Sequence, residues 1–333
     1  MFNWNEVSWN ALRSRLDRLP HAVLLQGPEG VGKLALAERL AARLLCETPT
    51  EASDACGRCP GCRWVAAGSH PDLRRVEPEA LSDPGTGADS EGEARDARRP
   101  RQPSSEIRID QIRELSDFLY LGSHRGGQRV AIVHPAESMN VHAANALLKG
   151  LEEPPLGARF LLVCHHPARL LPTIRSRCVV VSVPRPTHAA ALGWLHSVVP
   201  EPAQASRWLA FAGGSPRLAH AYSSGERGAH IAPYLEAVAR GAPEDLQEAT
   251  DRASLEALAE VLQKHAIDRV AHALGGRSIY GTLGQDQANA KKVDTLAWAR
   301  LARELGRARA LARHPVNPRL FSAELKYEVS KFM

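Results

Sequence analysis

Ala22-Val23-Leu24-Leu25-Gln26 followed by Gly27-Pro28-Glu29-Gly30-Val31-Gly32-Lys33 is the stretch on which the reading of this 333-residue chain turns. The apolar run is a short buried strand, and the glycines at 27, 30 and 32 let the backbone double back. Leu36, Leu40 and Leu44 then recur at helical spacing. Strand, glycine loop and helix in that order make a phosphate cradle, in which backbone N–H groups, a helix N-terminus and Lys33 face an anion. Leu34 occupies the next position, where a hydroxyl would be needed to help hold magnesium.

Four further apolar runs read as buried parallel strands: Leu73–Val76, Arg129–Val133, Arg159–Val163 and Cys178–Val181. Helical patterns over 109–121 and 142–151 separate several of them, so a mainly parallel sheet covered on both faces is predicted. The run Arg129–Val133 ends in His134-Pro135-Ala136-Glu137, with His134 where a hydrolase of this kind keeps a magnesium-binding acid. With Leu34 and His134 both unable to serve, ATP or ADP can sit in a cradle of Gly27, Gly30, Gly32 and Lys33, but hydrolysis is not expected.

Cys46, Cys56, Cys59 and Cys62 follow the cradle's helix with spacing C-x9-C-x2-C-x2-C. Two consecutive C-x2-C turns, loosened by Gly57 and Gly61, bring thiolates together, and a fourth at the end of the preceding helix can close a tetrahedron. Four thiolates leave no position for water, so a structural zinc is predicted, with an iron–sulfur cluster left open by spacing alone. Ser176-Arg177-Cys178, preceded by Arg169 and Arg175, reads either as ordinary surface charge or as a rigidly mounted guanidinium directed at a neighbour's phosphate.

Hydrophobic residues make up 44% of the chain, enough for two or three ordinary cores. Lysine and arginine exceed aspartate and glutamate by 42 to 37, a mild excess that suits an acidic partner without demonstrating one. The first residues lack a secretory pattern, and no apolar run is long enough for a bilayer; a soluble cytoplasmic protein is expected. Residues 78–105, rich in Pro, Gly, Ser, Asp and Glu and ending in an arginine cluster, read as a flexible insertion. After Pro184-Arg185-Pro186 only helical patterns follow, with a glycine-rich break from Gly275 to Gly284.

The segments Pro20-His21-Ala22, Gly68-Ser69-His70-Pro71-Asp72, Ala143-Ala144-Asn145-Ala146-Leu147-Leu148-Lys149, Leu151-Glu152-Glu153-Pro154-Pro155 and Arg175-Ser176-Arg177-Cys178 add to the cysteine cluster. In this order, and over nearly the whole chain, they resemble the delta-prime family of bacterial DNA polymerase III clamp-loader subunits. The resemblance implies an AAA+ P-loop module at 1–183 with a zinc segment at 46–62, a small helical lid at 184–227 and an all-helical collar at 228–333. It also implies a heteropentameric ring with gamma/tau and delta subunits that places a sliding clamp on primed DNA, with DNA polymerase activity belonging to the complex. Cys46, Cys56, Cys59 and Cys62 match the family's zinc ligands. Arg177 would act as an arginine finger on an adjacent subunit's ATP, and the chain itself would be a stator without catalysis. Arg217, in Gly213-Gly214-Ser215-Pro216-Arg217, stands where such proteins keep a second nucleotide sensor, and Cys164 takes the place of the first.

Overall fold

The computed structural model describes residues 2–49, 54–81, 103–121, 127–199, 201–284, 294–312, 314 and 316–332. They divide into two compact units, Met1–Arg185 and Pro186–Met333. The first holds five parallel strands, β1 (Ala22–Gln26), β2 (Leu73–Val76), β3 (Arg129–Val133), β4 (Ala158–Cys164) and β5 (Val179–Ser182), in the order β2-β3-β4-β1-β5.

Its helices are α1 (Glu6–Arg13), α2 (Lys33–Leu44), α3 (Pro60–Ala66), α4 (Ile109–Tyr120), α5 (Val141–Glu152) and the single turn α6 (Pro172–Arg175). The strand alternation sorts side chains into two cores. Val23, Leu25, Val130, Ile132, Leu161 and Val163 pack with Trp9, Leu36 and Leu40 on one face. Leu24, Ala131, Val133, Phe160 and Leu162 pack with Ile112, Leu115 and Leu147 on the other. The three central strands are therefore buried on both faces, which is why they lack polar alternation.

The two outer strands depart from the sequence expectation of burial. In β5, Val179 and Val180 are 42% and 37% exposed, and in β2 both arginines, Arg74 and Arg75, face out. Edge position explains the difference, since such a strand has a sheet neighbour on one side only.

Asp72, in the Gly68–Asp72 segment, is almost wholly buried and pairs at 3.4 Å with Arg129, whose guanidinium also lies 4.6 Å from the Phe118 ring centroid. That pair pins β2 against β3 and α4. In the acidic-to-basic segment at 78–105, residues 82–102 lie outside the described residues. Its ends meet: the Ala80 amide donates to Ser104 O at 3.0 Å, and the Ser104 amide to Glu79 Oε2 at 3.0 Å.

The described residues of the second unit form helices and no strand: α7 (His188–Val198), α8 (Pro202–Phe211), α9 (Pro216–Ser224), α10 (Glu226–Arg240), α11 (Arg252–Ala273), α12 (Thr295–Leu311) and α13 (Pro318–Ser330). They share one apolar core running from Ala191 to Val329. The expected lid-to-collar boundary at 227/228 falls within α10.

Charge is buried inside this helical unit. Glu260, 2% exposed, meets Lys264 at 2.8 Å, Arg227 at 2.7 Å and Arg309 at 3.1 Å, and accepts the Tyr222 hydroxyl at 2.7 Å. Lys264 Nζ also donates to Phe211 O at 2.9 Å and lies 3.8 Å from that ring's centroid. The stretch read as a glycine-rich break is organised by Asp268, which has no exposed surface. Its carboxylate accepts from the amides of Ile279, Tyr280 and Thr282 and from the hydroxyls of Ser278 and Thr282, at 2.6–2.9 Å. Among the described residues, no helix is long and apolar enough to cross a membrane.

Candidate nucleotide cradle and metal centre

The glycine loop sits at the carboxyl ends of the central strands, where open parallel sheets bind ligands. Gly32 caps α2 at φ 90° and Gly30 has φ 77°, values that side chains rarely adopt. A Cβ on Gly27 would stand 2.2 Å from Val183 O, so that position requires glycine on space as well. Lys33 is 2% exposed and turns back on its own loop, donating to Gly27 O at 2.7 Å and to Pro28 O. Burial lowers its pKa to about 8 against the opposing pull of Glu137 and Glu29. An incoming phosphate has to win the ammonium from these two carbonyls.

Two contacts on the loop were invisible to spacing arguments. Trp4 Nε1 donates to Val31 O at 3.0 Å and Asn5 Nδ2 to Gly32 O at 3.2 Å, so residues near the amino terminus brace the loop from outside. The only signal for them is an indole and an amide in an otherwise unremarkable Asn-Trp-Asn sequence.

The two positions read from the sequence as those of magnesium ligands hold Leu34 and His134. Leu34 packs half-buried against the core beneath α2. His134 leaves the end of β3, and its Nε2 lies 3.2 Å from His165 Nε2 at the end of β4. Glu137, in the turn Ala136–Ser138, is spent as a clasp: its Oε1 accepts the amides of His165 and His166 at 2.8 and 2.9 Å. Cys164 is fully buried, and burial, followed by the neighbouring Glu137 carboxylate, pushes its thiol up to about 12.

Arg177 lies just beyond α6 on the surface. Its Nη2 stands 2.5 Å from Glu152 Oε1 at the end of α5, and its Nη1 donates to Thr173 O at 3.0 Å. The guanidinium is thus mounted on two elements and still 35% exposed. Arg217 is an exposed residue in the first turn of α9, in the second unit.

The sulfurs of Cys46, Cys56, Cys59 and Cys62 all lie within 4.8 Å of one another. Cys46 and Cys59 are 4.0 Å apart, Cys56 and Cys62 3.8 Å. Four thiolates bound at about 2.3 Å around a tetrahedral zinc would be separated by about 3.8 Å, so the donor set fits the ion.

Backbone amides point at the sulfurs: Cys56 N at Cys46 Sγ, Arg58 N and Cys59 N at Cys56 Sγ, and Cys62 N at Cys59 Sγ, all at 3.3–3.4 Å. The Thr48 hydroxyl and the Arg58 and Cys59 amides bring the Cys56 thiol down to about 5, while burial and the neighbouring sulfurs push Cys62 up to about 12. A cation in the centre would resolve that conflict, because it favours the ionised form of the sulfurs that hold it. Gly61 admits the close approach of Leu45 O, which would lie 2.6 Å from a Cβ there.

Stripping the metal with a strong chelator, or replacing Cys62 by serine, is expected to release about one zinc per chain and to open 46–66 to protease. The sheet should stay folded, because the cysteines form a cluster separate from its two cores. Elemental analysis and limited proteolysis check both points; purified chain without zinc would contradict the assignment.

A parallel sheet with a glycine-loop cradle at its carboxyl edge, a four-cysteine knot between β1 and β2 and a helical second unit defines a P-loop module of the AAA+ class that could hold a structural zinc. Residues 5–187 match the family profile described as DNA polymerase III, delta subunit. The chain therefore belongs to that family and stands with its delta-prime members.

It is 45% identical over 221 residues to DNA polymerase III subunit delta' of Pseudomonas aeruginosa, covering 66% of this chain and 60% of that protein. It is 34% identical over 207 residues to the delta' subunit of Escherichia coli, covering 62% and 55%. The match thus spans at most 60% of the length of these two curated relatives. A gamma subunit-related protein from Thermotoga maritima aligns over 98% of this chain and 99% of its own, at 16% identity and a TM-score of 0.48.

Proposed function

We propose that this chain is the stator of a DNA polymerase III clamp loader: a subunit that completes a neighbour's ATP site and does not hydrolyse ATP itself. The observation that carries the reading is a pairing. Leu34 and His134 stand where magnesium would be held, while Arg177 is rigidly mounted and exposed on Glu152 and Thr173 O. A cradle without its ion can bind but not turn over, and a fixed guanidinium at a surface can neutralise charge on another subunit's γ-phosphate.

In this reading Arg177 is the arginine finger in trans, Gly27, Gly30, Gly32 and Lys33 are remnants of a nucleotide site that can hold ATP or ADP passively, and Arg217 is the remnant of a second nucleotide sensor. Cys46, Cys56, Cys59 and Cys62 bind a structural zinc. The helices of 184–227 serve as lid and those of 228–333 as collar. The partners are gamma/tau and delta subunits in a five-membered ring, then the sliding clamp and primed DNA through the complex, in the cytoplasm.

Mixing the purified chain with delta and gamma/tau subunits is expected to give a complex holding one copy of this chain, measured by light scattering on a sizing column. A chain that stays monomeric with every combination would sink the proposal.

A further inference from the structure

Nucleotide cradles of this fold class hold magnesium with a loop hydroxyl and an acid at the end of a second strand, and the ion gathers the outer phosphates. The residues at those two positions do not fit it. Leu34 packs half-buried against the core, and His134 offers ring nitrogens where magnesium demands oxygen ligands. Glu137 is an acid at the same edge of the sheet, but it is already engaged. Its Oε1 accepts the amides of His165 and His166 at 2.8 and 2.9 Å, and its charge opposes the effect of burial on the Lys33 ammonium.

What the lining offers instead is hydrogen-bond donors and positive charge. The Gly27 amide donates to Cys164 O at 3.3 Å, which ties the start of the loop to the end of β4 and sets His165, the next residue, beside it. Lys33, 2% exposed, donates to Gly27 O at 2.7 Å and to Pro28 O. Burial, then the charges of Lys33 and His134, push the His165 ring down to about 2, so it is neutral at physiological pH.

His134 and His165 share one hydrogen bond between Nε2 atoms 3.2 Å apart, and whichever ring accepts must carry its own proton on Nδ1. His165 Nδ1 has no hydrogen-bond partner among the described residues. An ammonium, the N-terminal amides of α2 and imidazole N–H groups repel a divalent cation and suit an anion. A bare phosphate gives the desolvated Lys33 a full counter-charge, whereas a phosphate complexed by magnesium is already partly neutralised.

We propose that this cradle takes nucleoside di- and triphosphates in their magnesium-free form, with the phosphate charge met by Lys33 and the loop amides and no ion between. The inference rests on the reading of the cradle as a passive nucleotide site and adds a selection to it. The magnesium complex, which a motor subunit of this class turns over, is the form this pocket disfavours, because Leu34 and His134 give its ion no oxygen.

The test measures ATP binding to the full-length chain carrying its zinc, by isothermal titration calorimetry in chelator-free buffer. One titration has no magnesium and the other has it in excess, at matched ionic strength. The expected result is binding without magnesium and an apparent affinity at least tenfold weaker with it, since the ion withdraws free nucleotide by mass action. Lys33→Ala should weaken the magnesium-free complex by at least tenfold. Leu34→Thr/His134→Asp, which supplies the hydroxyl and the acid, should reverse the preference.

Equal or tighter binding with magnesium in the parent, the outcome if Glu137 holds the ion after all, overturns the inference and leaves the passive cradle standing. No binding in either buffer overturns both. Binding that Lys33→Ala leaves intact lies outside the cradle and overturns the inference, as does a Leu34→Thr/His134→Asp variant that keeps the parent's preference. Should circular dichroism show a variant unfolded, the parent's ratio of affinities between the two buffers decides.

Discussion

If Arg177 is the proposed finger, Arg177→Ala is expected to leave the subunit folded and able to assemble and to depress ATP turnover at the neighbouring site by roughly three to five orders of magnitude, the range known for arginine fingers of GTP-hydrolysing enzymes. Fold and assembly should survive because Arg177 is a partly exposed surface residue whose bonds, among the described residues, reach Glu152, Thr173 and Ser176. An exposed ion pair of this kind contributes about 0–1 kcal/mol.

In that reading the large effect would lie in the transition state, where the guanidinium would meet charge that develops on the γ-phosphate. Arg177→Lys keeps the charge but loses the planar fork, so it should recover only a small part. Single-turnover measurements on the reconstituted complex isolate the affected site; normal hydrolysis in the alanine complex would refute the finger assignment.

Glu260→Gln is expected to destabilise the helical unit by about 3–5 kcal/mol, the usual cost of removing one partner from a buried charge network. The substitution keeps shape and removes charge, leaving Lys264, Arg227 and Arg309 around an amide in a site where Glu260 is 2% exposed. Denaturant midpoints for the parent and variant measure the loss.

The pH dependence carries the same signature. Burial works against the Glu260 anion, but Lys264, Arg309 and Arg227 overcome it and hold its pKa below the ordinary 4.5. A depressed carboxylate contributes stability that is complete above about pH 4.5 and fades as pH falls further toward its folded value. The parent should therefore lose stability on acidification below pH 4.5 more steeply than Glu260→Gln. Parallel acid limbs would contradict this account.

The central fold was legible because the signals were local. The glycine loop between an apolar strand and an amphipathic helix can do little else, and β1, β3 and β4 are apolar runs bounded by turn residues. The cysteine knot was legible because its spacing limits the geometry. The edge strands were misread as buried because an apolar run looks the same wherever it stands in a sheet; strand order, a non-local fact, decides which faces are covered.

The bracing of the loop by Trp4 and Asn5 spans 27 residues of sequence, and the Glu260 network joins four helices, α9, α10, α11 and α12. Neither leaves a periodic trace. Asp268 organising the turn after α11 was hidden by the glycines around it, which suggested a break where the chain is firmly tied. Glu152 stands in a legible motif, but its contact with Arg177 depends on the end of α5 meeting the turn after α6, which no local pattern encodes.

The most direct measurement is steady-state turnover of magnesium-ATP by the purified chain alone. With Leu34 half-buried against the core and His134 engaged with His165, the rate should equal the buffer background and be the same for Lys33→Ala. Magnesium-dependent turnover that Lys33→Ala abolishes would show a working motor and contradict the account at its root.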